Sequence, residues 1–285
     1  MTQTRSIALL ISGKPTMEGA GVRLNRVFGY PEVPKFDPFL LFDDFGSENP
    51  DDFIAGFPWH PHRGIETVTY MLDGEVEHSD SLGNEGVIGA GDVQWMTAGS
   101  GIIHQEMPRH TGGRLRGYQL WTNLPADEKM TAPRYRDLPS DTIPEISPHD
   151  GLRIRVIAGE VAGVRGPVDD VVVEPEYLDV TLEPDADFEH PTLSDRTAFA
   201  YAIEGRGRVG PNGSHELNRG QVALFTKGDS LLARATDVPF RILIVSGRPL
   251  GEPVAWSGPI VMNTREELAT AFREYNDGTF IKKNE

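Results

Sequence analysis

Two short stretches hold residues whose types and spacing suit metal chemistry. FPWHPHRGIE, residues 57–66, places His60 and His62 two positions apart, and GSGIIHQEMP, residues 99–108, repeats the device with His104 and Glu106. On an extended strand, side chains at i and i+2 project to the same face, so each pair presents two ligand atoms together. Three neutral imidazole nitrogens and one carboxylate would then surround a single ion. Imidazole suits Fe, Cu, Ni and Zn, and the hard carboxylate oxygen moves the preference towards Fe(II) or Mn. Four protein ligands on an octahedral ion leave two positions free. A lone inward histidine is ordinarily satisfied by hydrogen bonds, but two such pairs in one small β region are harder to explain without a metal.

Strands must position these ligands. Between about 65 and 123 the chain reads as short runs divided by turns: IETVTYML, EVEHS, VIGAGD, VQWM and LRGYQLWTNL. Asp73-Gly74 between the first two predicts a hairpin, because both turn positions favour φ > 0. If parity runs unbroken from the histidines, Glu66, Val68, Tyr70 and Leu72 share their face, and the pair ends an apolar row facing a barrel interior. Residues 125–150 are rich in Pro and charge and predict an irregular connection. In NTREELATAFREYN, Thr264 and Glu267 form a capping box that starts a helix over about 264–276. Leu268, Ala271, Phe272 and Tyr275 share one of its faces.

The second half repeats the first. YMLDGEVEH at 70–78 lies over YAIEGRGRV at 201–209 with an offset of 131, and GDVQWM from Gly91 lies over GQVALF from Gly220 with an offset of 129. The chain is therefore read as all-β, two copies of one β fold. Those offsets place Pro191, Leu193 and Thr197 where the first copy has His60, His62 and Glu66, and Ala233 and Ala235 where it has His104 and Glu106. The second copy is expected to hold no metal. His190 and His215 read as surface or structural residues without partners, and His78 and His110, outside the paired pattern, as solvated or capped. Trp59, Trp95 and Trp121 suit either a barrel core or the wall of a pocket for an aromatic substrate. The glycines of GRGRVG at 205–210 introduce no helix, which favours a hairpin over a phosphate loop.

The chain of 285 residues is long enough for two ordinary domains, and it contains no cysteine. Disulfides, thiolate metal sites and cysteine nucleophiles are thereby excluded, and the composition fits a reducing compartment. A formal net charge of -16 without a compensating basic stripe disfavours direct binding of nucleic acid. The first apolar run, IALLI at 7–11, is too short for a signal-peptide core, and no later run reaches the length of a membrane span. A cytoplasmic location is the expectation.

At the ligand residues the sequence resembles the cupin superfamily. His60, His62 and Glu66 meet that superfamily's first motif, although Gly56 is two positions too close and Gly74 one too far; Gly101 and His104 meet the end of the second, with Gly99 in place of the common proline. FDPFLLFDDFG at 36–46, FPWHPHRGIETVTYMLDGEVEH, GDVQWMTAGSGIIHQEMP, GYQLWTNLP and GPIVMNT resemble the pirin family of bicupins over nearly the whole chain. The resemblance implies two tandem cupin (double-stranded β-helix, jelly-roll) barrels with a short C-terminal helix: a metal-binding domain over 1–135 and a degenerate one over 136–285. It implies His60, His62, His104 and Glu106 as ligands, with Glu66, a ligand in many other cupins, as a near neighbour or alternative. Fe(II) is the implied ion, with Mn, Ni, Co, Cu or Zn as substitutes. The implied activity is that of a quercetin 2,3-dioxygenase, in which dioxygen opens a flavonol ring, both oxygen atoms enter the product and carbon monoxide leaves. Glu106 is the ligand most able to accept the substrate's hydroxyl proton. The resemblance also implies an alternative, a non-enzymatic iron-binding redox sensor or transcriptional co-regulator acting through a protein partner. A Zn- or Mn-dependent isomerase or a storage-type cupin is a third reading.

Overall fold

The computed structural model describes residues 3–109 and 113–282. They fall into two compact units. The first gathers Lys14–Val33, Phe39–Ser140 and the chain from Leu250 onward; the second gathers the chain up to Gly13, Pro34–Pro38 and Asp141–Pro249. The connection changes unit at 140/141, close to the sequence division at 135/136, but the two chain ends belong elsewhere than that division puts them. The cause lies in strand pairing. Strand β1 (Ile7–Ser12) aligns antiparallel with Gln221–Phe225, and Val261 donates its N–H to the Arg63 carbonyl at 3.1 Å.

In the first unit β2 (Lys14–Glu18), β3 (Val22–Phe28), β4 (Phe39–Ser47), β5 (Phe57–His62), β6 (Ile65–Asp73), β7 (Val76–Asp80), β8 (Glu85–Ile88), β9 (Val93–Thr97), β10 (Ile102–Pro108), β11 (Leu115–Asn123) and β12 (Arg134–Leu138) follow in order. They make a seven-stranded sheet, β12-β9-β6-β11-β4-β3-β2, and a four-stranded sheet, β5-β10-β7-β8. Leu24, Phe45, Met71, Val76, Ile88 and Leu115, drawn from both sheets, pack into one buried cluster. Alternation decides which side chains face inward. Along β10, Ile102, His104 and Glu106 are buried while Ile103 and Gln105 are half-buried.

Three sequence expectations are altered here. Asp73-Gly74 does form a turn, with Gly74 at φ 80°, but it joins two sheets rather than closing a hairpin: β6 pairs with β9 and β11, and β7 with β8 and β10. The parity from His62 into β6 is also broken. At Arg63-Gly64 the chain leaves the four-stranded sheet for the seven-stranded one, with Gly64 at φ 75°. The corner shifts the alternation, so Thr69 rather than Val68, Tyr70 or Leu72 lies on the histidines' side. Finally, the connection 125–150 is not wholly irregular, because RYRDL, between Pro133 and Pro139, adds β12 to the edge strand β9.

The second unit is a nine-stranded sheet in which β1, Gln221–Phe225, Thr197–Val209, Ser230–Gly247, Glu176–Leu182, Leu152–Ala158 and Glu145–Ile146 lie side by side, with Asp187–Pro191 and His215–Asn218 attached. Leu152, Ile154, Val180, Phe188, Ala233 and Phe240 are among its core. GRGRVG runs into the hairpin between Thr197–Val209 and His215–Asn218, as its glycines suggest.

The helix Arg265–Asn276 is capped as the sequence predicts: the Glu267 N–H donates to Thr264 Oγ1 at 3.2 Å, and the Thr264 N–H donates to Glu267 Oε2 at 2.9 Å. Ala271, with Leu268 and Phe272, packs on Ile260, Met262 and Phe280. No helix among the described residues is long and apolar enough to cross a membrane.

Candidate metal centre

The site begins as a register match between two neighbouring strands. β5 and β10 run antiparallel with His60 opposite His104 and His62 opposite Ile102, and the ladder is irregular between His104 and Glu106. The three imidazoles converge, with ring centroids 4.4 Å apart for His60 and His104, 4.9 Å for His60 and His62, and 5.0 Å for His62 and His104. One nitrogen from each lies within 4.8 Å of the others.

Hydrogen bonds orient two of the rings. His60 Nδ1 lies 2.8 Å from the Pro58 carbonyl and His62 Nδ1 lies 3.1 Å from the Pro259 carbonyl, so each Nδ1 carries the proton and each Nε2 is left as a lone pair. Those two Nε2 atoms face each other at 3.1 Å. Two lone pairs so close repel unless a cation sits between them. Adjacent ligands at about 2.1 Å from one ion are themselves about 3 Å apart, so the spacing fits a shared metal. His104 supplies the second test: it is buried, and neither of its ring nitrogens has a hydrogen-bond partner. A buried imidazole left so costs free energy that a metal bond recovers.

Burial lowers the pKa of all three histidines, well below the ordinary value for His62 and His104, and the neighbouring rings add to the effect. They are therefore neutral at neutral pH, the form that binds metals. Glu106 is next but one to His104 on the same inward row, and its Oε1 accepts from the Thr69 hydroxyl at 3.1 Å. Burial pushes its carboxyl up to about 7, against the pull of Thr69. Among the described residues, the group whose ligand atoms lie mutually within 4.8 Å contains the three histidines and not Glu106.

Glu66 is engaged elsewhere. Its carboxylate accepts from Thr97 Oγ1 at 2.6 Å and from Trp95 Nε1 at 3.2 Å, on the face of β6 opposite Thr69. Trp95 is thus core. Trp59, 51% exposed, and Trp121 line a cavity instead, and the Trp121 ring meets His62 edge-on at 5.0 Å. The cavity, about 620 Å³, opens beside His60, His62 and Glu106 and is walled by Phe45, Phe57 and a third indole, Trp256.

The sequence assigns Trp256 and Pro259 no place at the site: GPIVMNT, which contains Pro259, carries only the family resemblance, and nothing local in AWSGPIVM marks them as partners of residues some 200 positions earlier. The same tail grips the neighbouring corner. Buried Arg63 donates to Ser100 O at 2.7 Å, Glu274 Oε2 at 2.7 Å and Phe280 O at 2.9 Å, and its guanidinium lies 4.2 Å from the centre of the Phe280 ring.

Other histidines depart from expectation. His78 is buried, not solvated: its Nε2 is 3.5 Å from Asp80 Oδ2 and its ring lies 5.3 Å from His104 and 4.7 Å from Tyr135. On β7 it stands directly opposite Glu106 of β10. His110 lies outside the described residues. His215 is exposed with Nδ1 2.8 Å from Ser214 Oγ, whereas His190 is buried with Nε2 2.9 Å from Glu176 Oε1, so both have partners.

His190 also corrects the alignment of the two halves. Ala233 pairs with Phe188 and Leu231 with His190, just as His104 pairs with His60 and Ile102 with His62. By ladder register Phe188 and His190, not Pro191 and Leu193, therefore stand where the first unit has His60 and His62. One histidine of the set survives there, tied to a carboxylate and surrounded by core residues.

Two β units, one with three convergent histidines, His62 and His104 buried and His60 half-buried, beside a cavity, define a two-domain cupin. The chain belongs to the pirin family: the Pirin pattern matches residues 21–122, and the pirin C-terminal cupin domain matches residues 177–281. A pirin-like protein of Caulobacter vibrioides is 46% identical over 279 residues, covering 97% of this chain and 99% of that one. Human pirin is 40% identical over 282 residues, covering 97% and 94%. Among solved structures, a quercetin 2,3-dioxygenase from Acinetobacter baumannii superposes with a TM-score of 0.90 at 33% identity, covering 97% of this chain and 98% of that one.

Proposed function

We propose that this chain is an Fe(II)-dependent flavonol dioxygenase of the quercetin 2,3-dioxygenase type, with His60, His62, His104 and Glu106 as the metal's ligands. The observation that carries the reading is the cavity of about 620 Å³, whose aromatic wall runs up to the histidine cluster. A redox sensor needs no such space beside its metal. Bound Fe(II) supplies a redox-active Lewis acid for dioxygen chemistry.

The chain's residues do the rest. Trp59, Trp121, Trp256 and Phe57 form an apolar aromatic wall against which substrate rings displace water. Glu106 takes the proton of the substrate's enolic hydroxyl at a carboxylate oxygen, because it is the carboxylate that lines the cavity beside His60 and His62. The Thr69 hydroxyl, 3.1 Å from Glu106 Oε1 and 2.8 Å from Gln119 Oε1, holds that oxygen in place and has a second acceptor to turn to once Glu106 is protonated. Overall, both atoms of dioxygen enter the opened flavonol and one ring carbon departs as carbon monoxide.

Anaerobic loading followed by oxygen-uptake assays over a flavonol panel tests the proposal. Fe(II)-loaded protein should consume oxygen with flavonols carrying a free 3-hydroxyl and be inert with the 3-O-methyl ether. Zn(II) should preserve folding and end consumption, since it has no accessible redox state. No oxygen uptake with any flavonol, together with a protein partner bound differently in the Fe(II) and Fe(III) forms, would replace the enzyme with the sensor. Glu106→Gln should weaken metal binding by about 10–100-fold, the range seen when a metal's surroundings are perturbed, because the amide keeps an oxygen but loses the balancing charge. Unchanged affinity by competition titration would remove Glu106 from the ligand set.

A further inference from the structure

One feature of the cavity plays no part in holding a metal. Residues directly opposite in an antiparallel ladder share a face, and Arg26 on β3, Asp43 on β4, Gln119 on β11 and Thr69 on β6 are successive partners across the large sheet. Thr69 hydrogen-bonds Glu106 of the other sheet, so this face looks inward, and all four residues line the cavity. The row crosses four strands, about 14 Å at ordinary strand spacing, and carries the wall from the metal's edge to a charged end.

At that end Arg26 clamps Asp43 through Nε to Oδ1 at 2.9 Å and Nη2 to Oδ2 at 2.8 Å, and donates Nη1 to Glu18 Oε1 at 2.8 Å. One cation serves two carboxylates. Each Nη keeps one further N–H, and the carboxylates keep lone pairs. Burial pushes Asp43 up to about 6 against the pull of Arg26, so at pH 8 it is ionised and the trio is a net anion. A surplus negative charge, carried by half-exposed Glu18 beside Arg26 and buried Asp43, disfavours another anion but welcomes an O–H donor.

Resting on the proposed function, we infer that Arg26, Asp43 and Glu18 form the specificity end of the cavity, binding phenolic hydroxyls on the substrate ring remote from the metal and rejecting substrates that carry an anionic group there. A phenol is donor and acceptor at once, which suits a carboxylate lone pair beside a spare guanidinium N–H. A carboxylate or sulfonate finds one cation already shared by two repelling carboxylates.

Quenching of tryptophan fluorescence reads the interaction without turnover. At pH 8, with the protein loaded with Zn(II), a flavonol bearing hydroxyls on its remote ring should bind at least about 10-fold more tightly than the same flavonol bearing a sulfonate there, the selectivity of a like charge excluded at close range. Glu18→Gln combined with Asp43→Asn turns the trio from net anion to net cation, and the preference should invert. If the double variant fails to fold, Glu18→Gln alone, at a side chain 40% exposed, should shrink the discrimination. Flavonols that bind and turn over in the parent with discrimination unchanged in these variants would overturn the subsite and leave the proposed function standing. Should the parent bind no flavonol, the proposed function falls first, and catechol against dihydroxybenzoate in the same assay decides the subsite separately: equal or tighter binding of the benzoate overturns it.

Discussion

His104→Ala should abolish metal binding while leaving the metal-free protein close to its original stability. The loss of binding follows from convergence: His104 supplies one of three nitrogens within 4.8 Å of one another, and His78, the other ring nearby, has its Nε2 directed to Asp80. Affinity should therefore fall beyond the roughly 100-fold seen when an outer partner of a metal site is lost. The small effect on the metal-free fold follows from opposed costs. Removing a buried ring leaves a void, but it also removes two buried nitrogens without partners, each a burden of about 1–3 kcal/mol. Thermal unfolding separates the two states. Metal at 100 times its Kd stabilises the parent by about 2.7 kcal/mol, or roughly 5–11 °C, and should raise the variant's Tm by nothing. A variant that still gains this stabilisation would place the metal elsewhere.

Gly64→Ala should be the most destabilising single-methyl change in the first unit. The residue lies at φ 75°, where a side chain costs about 1–2 kcal/mol, and an added Cβ would stand 2.0 Å from the Val261 carbonyl oxygen and 2.9 Å from Lys129 Cδ. The lysine stem can swing aside. The carbonyl cannot, since it belongs to the strand Ile260–Met262, so the tail must lift from the corner. With it goes the Pro259 carbonyl that holds His62 Nδ1. The expected result is a loss of at least about 3 kcal/mol, a fall in Tm of roughly 6–12 °C, with weaker metal binding. An unchanged Tm and metal affinity would show that the tail does not position His62.

The two variants also mark what could be read in the sequence. His104 was legible because its chemistry is local: His-x-Glu on a strand turns two ligand-type side chains to one face whatever the rest of the chain does. The same holds for the capping box at Thr264 and for Gly74 and Gly205, repeat partners that both take positive φ, at 80° and 69°. What escaped was decided at a distance. A two-residue corner at Arg63-Gly64 reset the alternation, so Thr69 replaced Val68 and Tyr70 on the cavity side. Small differences in loop length between the halves moved the match of His62 from Leu193 to His190. Trp256 and Pro259 reach the site only through tertiary pairing, and the burial of His78 depends on which strand lies beside it. Side-chain period survives such events only as far as the next bend in the backbone.

The hydrogen bond from His62 to Pro259 joins residues 197 positions apart, with the whole of Asp141–Pro249 between them. On a ribosome adding about 5–20 residues per second, the imidazole waits roughly 10–40 s for its acceptor. During that interval His60 and His104 are already synthesised, and the His60 ring already has its carbonyl acceptor two residues away. Until the tail arrives, the nascent chain holds His62 without its acceptor, in a pocket still missing the indole of Trp256. The contact that orients His62 is thus among the last that synthesis makes available, long after the strand that carries the ring.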